Sequence, residues 1–418
     1  MVTQYSAHRN NDSGLSRTIL RLAILFAVAF AVFQGYPYLR AQWDQWRGNA
    51  ASETPIEAAR NKIHMGDEPA AAAILDQAIA REQRSEPLYR LLLERTRLAQ
   101  VAGDWPLASE LLKRALAAYP ASPDYPAVLA QYGAALEKQE RFEEARKQYE
   151  EVLRTAPQGM HAPALVGLGR LAEQGGDLAI ARDYHRAAFA DAEPESETWD
   201  EALEQMGRLN TELVFAQQET PESKYYTVEP GDTLTSIGIK LNTTQGLLTR
   251  ANGLTDASTL HPGQRLKYTP KDFRVLVERD TRRLYLFDNQ GPFKCYPAGL
   301  GKPGYETTLG KYTIGSKQKD PTWFRPDGPP VPPNDPENEL GTRWMPMVPA
   351  EEGLPTDLGI HGTIAPETIG QYASRGCPRL LNESAEELYD LIVRSTPVEV
   401  VEKIDWKALG AFPWRRPS

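Results

Sequence analysis

Small residues recur at nearly constant spacing in the first half of this 418-residue chain. The recurring positions are Ala71, Ala108, Ala145 and Ala181, at intervals of 37, 37 and 36 residues. A polar turn lies five positions before each alanine, and apolar residues at helical spacing follow it. A repeat of this length accommodates two helices, which cannot bury their apolar faces alone. We therefore predict that residues 55–215 fold as stacked helix pairs.

This pattern resembles the tetratricopeptide repeat, in which each unit of about 34 residues is a helix pair. The resemblance implies a helical repeat domain over residues 55–215, with a concave surface on which a protein partner docks. Two alternatives remain open at this point. The structural alternative is an ordinary helical bundle. The functional alternative is a spacer that holds the later domains away from a membrane.

The charge and the cysteine content limit the partners and the chemistry. The formal charge is −9 and the pI is about 5.4, and no run of basic residues offsets the acidic total. Nucleic-acid binding needs concentrated positive charge, so no nucleic-acid partner is expected. Cys295 and Cys377 are the two cysteines, too few for a disulfide framework, although one disulfide between them is an alternative. No motif requires a metal or a cofactor, and we expect neither.

An apolar segment near the N-terminus, residues 22–39, carries no charged residue over about 18 positions. A helix of that length just crosses roughly 30 Å of hydrocarbon. Arg17 and Arg21 precede it, which favours a cytoplasmic N-terminus over residues 1–21. We expect a single-pass transmembrane signal anchor in the inner (cytoplasmic) membrane, with the later domains in the periplasm. A signal peptide cleaved near residues 29–31 is the alternative.

A change in composition marks residues 224–268 as a separate small module. The pattern predicts strand, helix, helix and strand, with Asp232 or Thr233 capping the first helix and Asn252 ending the second. The unit resembles a LysM module. The matching residues are Tyr226-Thr227-Val228, Pro230-Gly231-Asp232-Thr233-Leu234, Ile237, Ala251-Asn252 and Pro262-Gly263-Gln264.

The LysM resemblance implies binding to glycan that contains N-acetylglucosamine, in a groove between residues 231–234 and 252–260. The residues expected at the sugar are Gly231, Asp232, Thr233, Leu234 and Asn252. The alternative is that these residues only form the turns of a small fold. We also expect that deleting residues 224–268 weakens binding to the cell wall and leaves the following domain folded.

From Lys271 onward, short apolar runs joined by turns predict a mostly antiparallel β domain. The predicted strands are Phe273–Val277, Leu284–Phe287, Phe293–Ala298, Thr308–Ile314 and Val398–Val401. Residues 320–341 contain seven prolines and little periodicity, which is typical of a lid or binding loop. A capping-box pattern at residues 384–387 predicts that a helix begins there. The expected fold class is thus multidomain: a transmembrane helix, helical repeats, a βααβ module and a mostly β domain.

Two short clusters in the β domain carry reactive side chains, one around His361 and one around Cys377. Acyl transfer needs a nucleophile, a base within hydrogen-bond reach, a group that orients the base, and donors for the oxyanion. Cysteine is a suitable nucleophile because its thiol is partly ionised near neutrality. Ser374 and Arg379 can position the loop or bind a substrate carboxylate. Cys295 lies within a predicted strand and is interpreted as a packed thiol.

Three runs together resemble the active-site signature of the L,D-transpeptidase (YkuD-type) family over residues 272–403. They are His361-Gly362-Thr363, Ile369-Gly370 and Ser374-x-Gly376-Cys377-x-Arg379. The resemblance implies a thioester between Cys377 and the third residue of a peptidoglycan tetrapeptide stem, with release of D-Ala. An amine then takes the acyl group. Such an enzyme acts in peptidoglycan biosynthesis, cell wall biogenesis and cell shape.

The resemblance also implies a role for each residue of the signature. His361 acts as general base and acid, the Gly362 carbonyl orients it, and the Gly376 and Cys377 amides form the oxyanion hole. The residues expected to bind the substrate are Ser374, Arg375, Arg379 and Thr363. Two positions depart from the family pattern, which often has His at 375 and an aliphatic residue at 378. Pro378 restricts Cys377 to an extended backbone.

Other functions use the same sequence features. A scaffold that tethers the wall without catalysis needs only the repeats and the LysM-like module. A hydrolase, a carboxypeptidase or an amidase would form the same thioester and differ only in the acceptor. The acceptor therefore stays open among a second stem, a lipoprotein and water.

Overall fold

The computed structural model describes residues 54–254, 260–325 and 328–406. The predicted signal anchor at residues 22–39 lies outside them. Within the part that is described, no helix has both the length and the apolar character needed to cross a membrane. The chain divides into two compact units between Tyr119 and Pro120.

Helix pairs form the first unit. Its helices are α1 (Pro55–His64), α2 (Glu68–Arg81), α3 (Ser85–Val101) and α4 (Trp105–Ala118). The Asp67 and Asp104 carboxylates cap α2 and α4, each accepting from a backbone amide at 3.1 Å. Ala71 and Ala108 are the fourth residues of these helices and are fully buried, so the neighbouring helix approaches closely there.

The second unit continues the helical pattern. Its first helices are α5 (Tyr125–Glu137), α6 (Phe142–Thr155), α7 (Ala162–Gln174), α8 (Leu178–Asp191) and α9 (Glu197–Phe215). Ala145 and Ala181 are again the fourth residues of α6 and α8, and both are fully buried. The helical repeat region predicted from the alanine spacing is therefore present.

A βααβ module follows α9. It comprises β1 (Lys224–Thr227), α10 (Leu234–Leu241), α11 (Gln245–Ala251) and β2 (Arg265–Tyr268). β1 and β2 pair antiparallel. Thr233, rather than Asp232, caps α10, because its hydroxyl accepts from the Ser236 amide at 3.0 Å.

A mostly antiparallel β domain completes the described chain. Its strands are β3 (Arg274–Glu278), β4 (Arg283–Asp288), β5 (Gly291–Pro297), β6 (Leu300–Gly301), β7 (Gly310–Ile314), β8 (Gln318–Lys319), β9 (Arg343–Pro349), β10 (Gly359–His361), β11 (Tyr372–Ser374) and β12 (Pro397–Val401). The main sheet has the order β10-β9-β7-β12-β3-β4-β5, with β8 on β9. β12 runs parallel to β3, and β11 pairs parallel with β6 in a separate sheet.

The helix of the β domain begins earlier than its sequence pattern predicts. α12 spans Asn382–Leu391, and its N-cap position is Leu381, without a side-chain cap. The capping-box prediction at residues 384–387 is therefore wrong. The side chain of Asn382 is used elsewhere, since it bonds to backbone groups of Thr342 and Thr363.

The βααβ module shares a hydrophobic core with the β domain. Leu247 and Ala251 of α11 are buried in the same cluster as Leu388 of α12. At this junction the Thr244 hydroxyl donates to the Asp390 carbonyl, and Arg250 lies 3.4 Å from the Asp390 carboxylate. Residues 224–268 therefore contribute to the core of the following domain. We now expect their deletion to expose that core, contrary to the expectation that the following domain stays folded.

Candidate active site

His361 is the last residue of β10, beside the segment that carries Cys377. β10 pairs with β9, which places His361 opposite Trp344. The His361 amide donates to the Pro378 carbonyl at 3.2 Å, and the Leu380 amide donates to the His361 carbonyl at 2.8 Å. These two hydrogen bonds hold the cysteine segment alongside β10.

Both reactive residues line one pocket of about 370 Å³. Its lining residues are Gln318, Thr322, Trp323, Phe324, Glu339, Leu340, Trp344, Asp357, His361, Ser374, Arg375, Cys377 and Arg379. The proline-rich loop at residues 320–341 forms part of the pocket wall. The structure thus brings the predicted nucleophile, the predicted base and three predicted substrate-binding residues to one cavity.

The imidazole of His361 is buried and held in one orientation. Its Nδ1 lies 2.7 Å from the Gly362 carbonyl oxygen. A carbonyl oxygen only accepts, so Nδ1 carries the proton and Nε2 keeps its lone pair. Burial and, to a smaller extent, the charge of Arg379 together lower the pKa of His361 to about 4, against the opposing effect of the Gly362 carbonyl. The ring is therefore neutral at pH 7 and able to accept a proton.

The Cys377 thiol is half-buried, and its Sγ lies 3.9 Å from the Asp357 carbonyl oxygen. Burial raises the pKa of the thiol, while the Gly359 amide and the Arg379 guanidinium pull it down only in part. A thiol with a raised pKa is protonated at pH 7, so it needs a base before it can attack. The neutral imidazole in the same pocket is such a base.

The backbone around Cys377 leaves one amide open. The Gly376 amide donates to the Ser374 hydroxyl at 3.1 Å. Gly376 has a φ of +119°, a conformation that side-chain-bearing residues rarely adopt. Within the described residues, the Cys377 amide donates to no acceptor. It is the available donor for an oxyanion.

Arg379 and Arg375 contribute positive charge to the pocket. Arg379 Nη2 lies 2.9 Å from the Glu339 carboxylate, and its Nε is buried without a partner in the described part of the chain. Arg375 is exposed on the rim. Thr363, in contrast, is not among the lining residues. Its hydroxyl accepts from the Ala365 amide at 3.0 Å and closes a turn.

Asn382 is a site residue that the sequence pattern did not identify. Its Oδ1 accepts from the Thr363 amide at 3.0 Å, and its Nδ2 donates to the Thr363 carbonyl at 2.9 Å. It thereby fixes the turn that follows His361. Trp344 was also missed, and its ring centroid lies 5.7 Å from that of His361. Neither residue has a local signal, because their partners are distant in the sequence.

Cys295 lies away from this pocket, in β5. It packs against the cluster around Tyr285 and Trp199, and burial raises its pKa to about 12. Both cysteines are free thiols, so the alternative of one disulfide is not realised. Among the described residues, no group of three or more His, Cys, Asp or Glu side chains is placed to hold a metal ion.

The predicted glycan-binding residues all lie in the βααβ module, but several of their side chains are already engaged. The Asp232 carboxylate accepts from the Tyr226 hydroxyl at 2.7 Å, and Thr233 caps α10. Leu234 is buried, and the Asn252 amide bonds to the backbone of β2. Gly231 has a φ of +88° and open space beside it. Residues 255–259 of the second loop lie outside the described residues.

Two family descriptions match this chain. Residues 272–400 match the L,D-transpeptidase catalytic domain, YkuD, and residues 226–269 match the LysM domain. The L,D-transpeptidase YkuD of Bacillus licheniformis is 31% identical over 182 residues, which cover 42% of this chain and 97% of the relative. Its counterpart in Bacillus subtilis is 30% identical over 181 residues, with the same coverage of 42% and 97%. An L,D-transpeptidase structure from Mycobacterium smegmatis is 16% identical, with 33% of this chain and 63% of that chain covered and a TM-score of 0.26.

Proposed function

This chain belongs to the L,D-transpeptidase family, and we propose that it transfers peptidoglycan stem peptides through a thioester on Cys377. The observation that carries the proposal is the shared pocket of Cys377 and His361. The hydrogen bond from His361 Nδ1 to the Gly362 carbonyl supports it, because it leaves Nε2 as the base. The Cys377 amide, which donates to no acceptor in the part of the chain that the structure describes, supports it as an oxyanion donor.

The first half of the reaction forms the thioester. His361 Nε2 takes the thiol proton, and Sγ attacks the carbonyl of the third stem residue. The Cys377 amide donates to the resulting oxyanion. When the C–N bond breaks, the imidazolium returns the proton to the amine of D-Ala, which leaves. Since both groups are neutral at rest, the ion pair forms only as the substrate reacts.

The second half transfers the acyl group. An acceptor amine attacks the thioester, and His361 Nε2 takes the proton that the amine loses. The C–S bond breaks, and the imidazolium returns that proton to the thiolate. A second stem, or a lipoprotein that the reaction attaches to the wall, supplies the amine. Water in the same position gives a hydrolase or a carboxypeptidase, so the acceptor defines the product.

The LysM domain supports peptidoglycan as the substrate, since it would hold the glycan to which the stems are attached. Of the other functions considered, a scaffold without catalysis would not need a cysteine and a neutral histidine in one pocket. We include the expected anchor at residues 22–39 in the proposal, with the catalytic domain in the periplasm. The helical repeats would then offer a surface to a protein partner.

A measurement of the acyl-enzyme tests the proposal. The purified chain, incubated with a tetrapeptide stem or a carbapenem, should gain the mass of one acyl group. Cys377→Ala should gain none. Cys295→Ala is the matched control, because that thiol is partly buried outside the pocket and its pKa is raised, and this variant should acylate normally. Acylation of Cys377→Ala, or its loss in folded Cys295→Ala, would show that the nucleophile is assigned wrongly.

A further inference from the structure

A second cavity, of about 830 Å³, lies between the LysM domain and the catalytic domain. We call it the basic cleft. Helices α10 and α11 form one wall, and β8, β9 and the end of α12 form the other. Among the described residues that line it, the charged ones are the cations Arg250, Lys317, Lys319, Arg343 and Arg394 and the acid Asp390. The glycan groove predicted from the LysM resemblance involves other loops of the domain.

Two of the five cations have structural tasks. Lys317 Nζ donates to the Tyr389 and Ile392 carbonyls, both at 2.5 Å, at the C-terminal end of α12. Arg250 faces Asp390 and thereby joins the two walls. The acid of the cleft is therefore already matched by a cation.

Of the other three cations, Lys319 and Arg394 are not neutralised by any described residue. Lys319 and Arg394 are exposed and have no ion-pair or hydrogen-bond partner among the residues described. Arg343 lies 3.8 Å from the Asp320 carboxylate and 3.7 Å from that of Glu386, so these acids offset its charge, and its Nη1 donates to the Thr342 carbonyl at 2.7 Å. Its Nε is buried and unpartnered in the described chain. A local excess of positive charge on a chain of net charge −9 favours an anionic ligand.

The basic cleft and the active site share one ribbon of two strands. Gln318 of β8 pairs with Trp344 of β9, and both line the active-site pocket. The next pair, Lys319 and Arg343, lines the basic cleft. Successive side chains of a strand point to opposite faces, so the two sites lie back to back across this ribbon.

We propose that the basic cleft binds the free carboxylates of a peptidoglycan stem peptide that neighbours the reacting stem. This inference rests on the proposed function, which supplies the glycan strand held beside the cleft. Stem peptides combine acidic groups with peptide amides. Lys319 and Arg394 suit the acidic groups, and the exposed Thr235 and Gln245 of the LysM wall suit the amides.

The test measures the affinity of the full chain, carrying Cys377→Ala to prevent turnover, for soluble peptidoglycan oligomers with intact tetrapeptides. The double variant Lys319→Gln/Arg394→Gln should bind these oligomers roughly three- to tenfold more weakly, as expected for two exposed ion pairs. Lys147→Gln, an exposed cation on α6, is the matched control and should bind as the parent does. Oligomers without stems, or with their carboxylates converted to amides, should not distinguish the double variant from its parent.

Equal affinity of the double variant and the parent for intact oligomers would overturn the proposal. An equal loss on stem-free glycan would also overturn it, because the cleft would then contact sugar. Poly(glycerol phosphate) serves as a second polyanion, and if its binding shows the same loss, the assignment to stem carboxylates is wrong. The proposed function fails separately, as absence of carbapenem acylation at Cys377 in the unsubstituted chain.

Discussion

At the scale of single residues, Asn382 explains why glycine follows the histidine base. A Cβ atom at position 362 would lie 2.1 Å from the Asn382 amide oxygen, and one at Gly341 would lie 2.2 Å from it. Both distances are far below van der Waals contact. The side-chain amide of Asn382 therefore occupies space that the missing Cβ atoms of Gly341 and Gly362 leave free. Its hydrogen bonds to Thr363 hold the preceding peptide unit, whose carbonyl orients His361.

Gly362→Ala should separate this positioning role from the chemistry. The added methyl group must displace Asn382, which disturbs the hydrogen bond from His361 Nδ1, so we expect acylation to slow by roughly 10²-fold with Cys377 still present. The rate of acyl-enzyme formation by mass spectrometry measures this. Gly370→Ala is a control, because its neighbourhood is open, although its φ of +80° adds backbone strain. An unchanged rate in Gly362→Ala would remove Asn382 from the positioning role.

The pKa shifts predict the pH dependence of acylation. The pKa of His361 is lowered to about 4, so the base is protonated only in strong acid. The acylation rate should therefore fall near pH 4 rather than near pH 6.5. His361→Ala should slow acylation by roughly 10²–10⁴-fold at pH 7 and recover in part at high pH, where the thiol ionises unaided. A rate profile from about pH 4 to about pH 10 checks both. An acid limb centred near pH 6.5 would contradict a buried neutral base.

Much of the site could be predicted at this scale, because its main residues lie in two short runs of sequence. The two runs contain His361, Gly362, Ser374, Gly376 and Cys377. Only the pairing of the two segments depends on contacts between distant parts of the chain. The Thr363 side chain does not reach the pocket, since it closes its own turn. Partners such as Asn382 and Glu339 could not be predicted, because only the folded chain brings them to the motif.

At the scale of elements, α11 is a helix of one domain that packs into another. Its Leu248 belongs to the small core of the LysM domain, whereas Leu247 belongs to the core of the catalytic domain. Adjacent residues on a helix point about 100° apart, so α11 serves both cores at once. The sequence predicted the helix but not its second packing face, because both faces contain the same apolar residue type.

Leu247→Ala should destabilise the catalytic domain although it lies in the LysM domain. Removing a fully buried leucine leaves a cavity and costs about 2–5 kcal/mol of unfolding free energy. Urea unfolding followed by the reactivity of the partly buried Cys295 thiol reports on the catalytic domain. Ile237→Ala, in the LysM core only, is the matched control and should leave Cys295 protected at the same urea concentration. Equal protection in both variants would argue against a shared core.

The helix α8 contains a second histidine whose pKa is lowered. His185 is fully buried, its ring nitrogens have no partner among the described residues, and burial lowers its pKa to about 4. The unfolded chain takes up this proton near pH 6.5, so the free energy of unfolding should decrease as the pH falls from 6.5 towards 4. His185→Leu should reduce that decrease by roughly 1–3 kcal/mol relative to the parent, by urea denaturation at about pH 7.5 and pH 4.5. An identical decrease in both proteins would contradict this.

Short strands were the least predictable elements. Continuous apolar runs mark β3 and β4 in the sequence, and these strands lie beside β12 in the centre of the main sheet. β6 and β8 have two residues each, too few to show any period. Their pairing depends on partners that are distant in the chain, yet β8 contributes one lining residue to each of the two cavities.

At the scale of the whole molecule, the position of the chain relative to the membrane is a prediction that rests on residues 22–39. Their apolar run and the preceding arginines favour an N-terminus inside and all later domains outside. A reporter fused after residue 60 should be active only outside the cytoplasm. Sequencing of the mature N-terminus is the companion measurement. A mature N-terminus near Gln42 would show that the segment is cleaved and would exclude an anchor.

The shared core of the LysM and catalytic domains has a consequence for how such an enzyme would move along its polymer. A binding domain on a flexible linker lets the catalytic site reach many neighbouring stems while the binding domain stays at one position on the glycan. Here the LysM domain and the domain that carries Cys377 share one core, so each bound position of the LysM domain presents one position of the glycan strand to the thiol. To reach the next stem, the LysM domain must dissociate from the glycan and bind again. The dissociation rate of the complex between the LysM domain and the glycan, rather than the length of a linker, would then limit the rate of successive reactions.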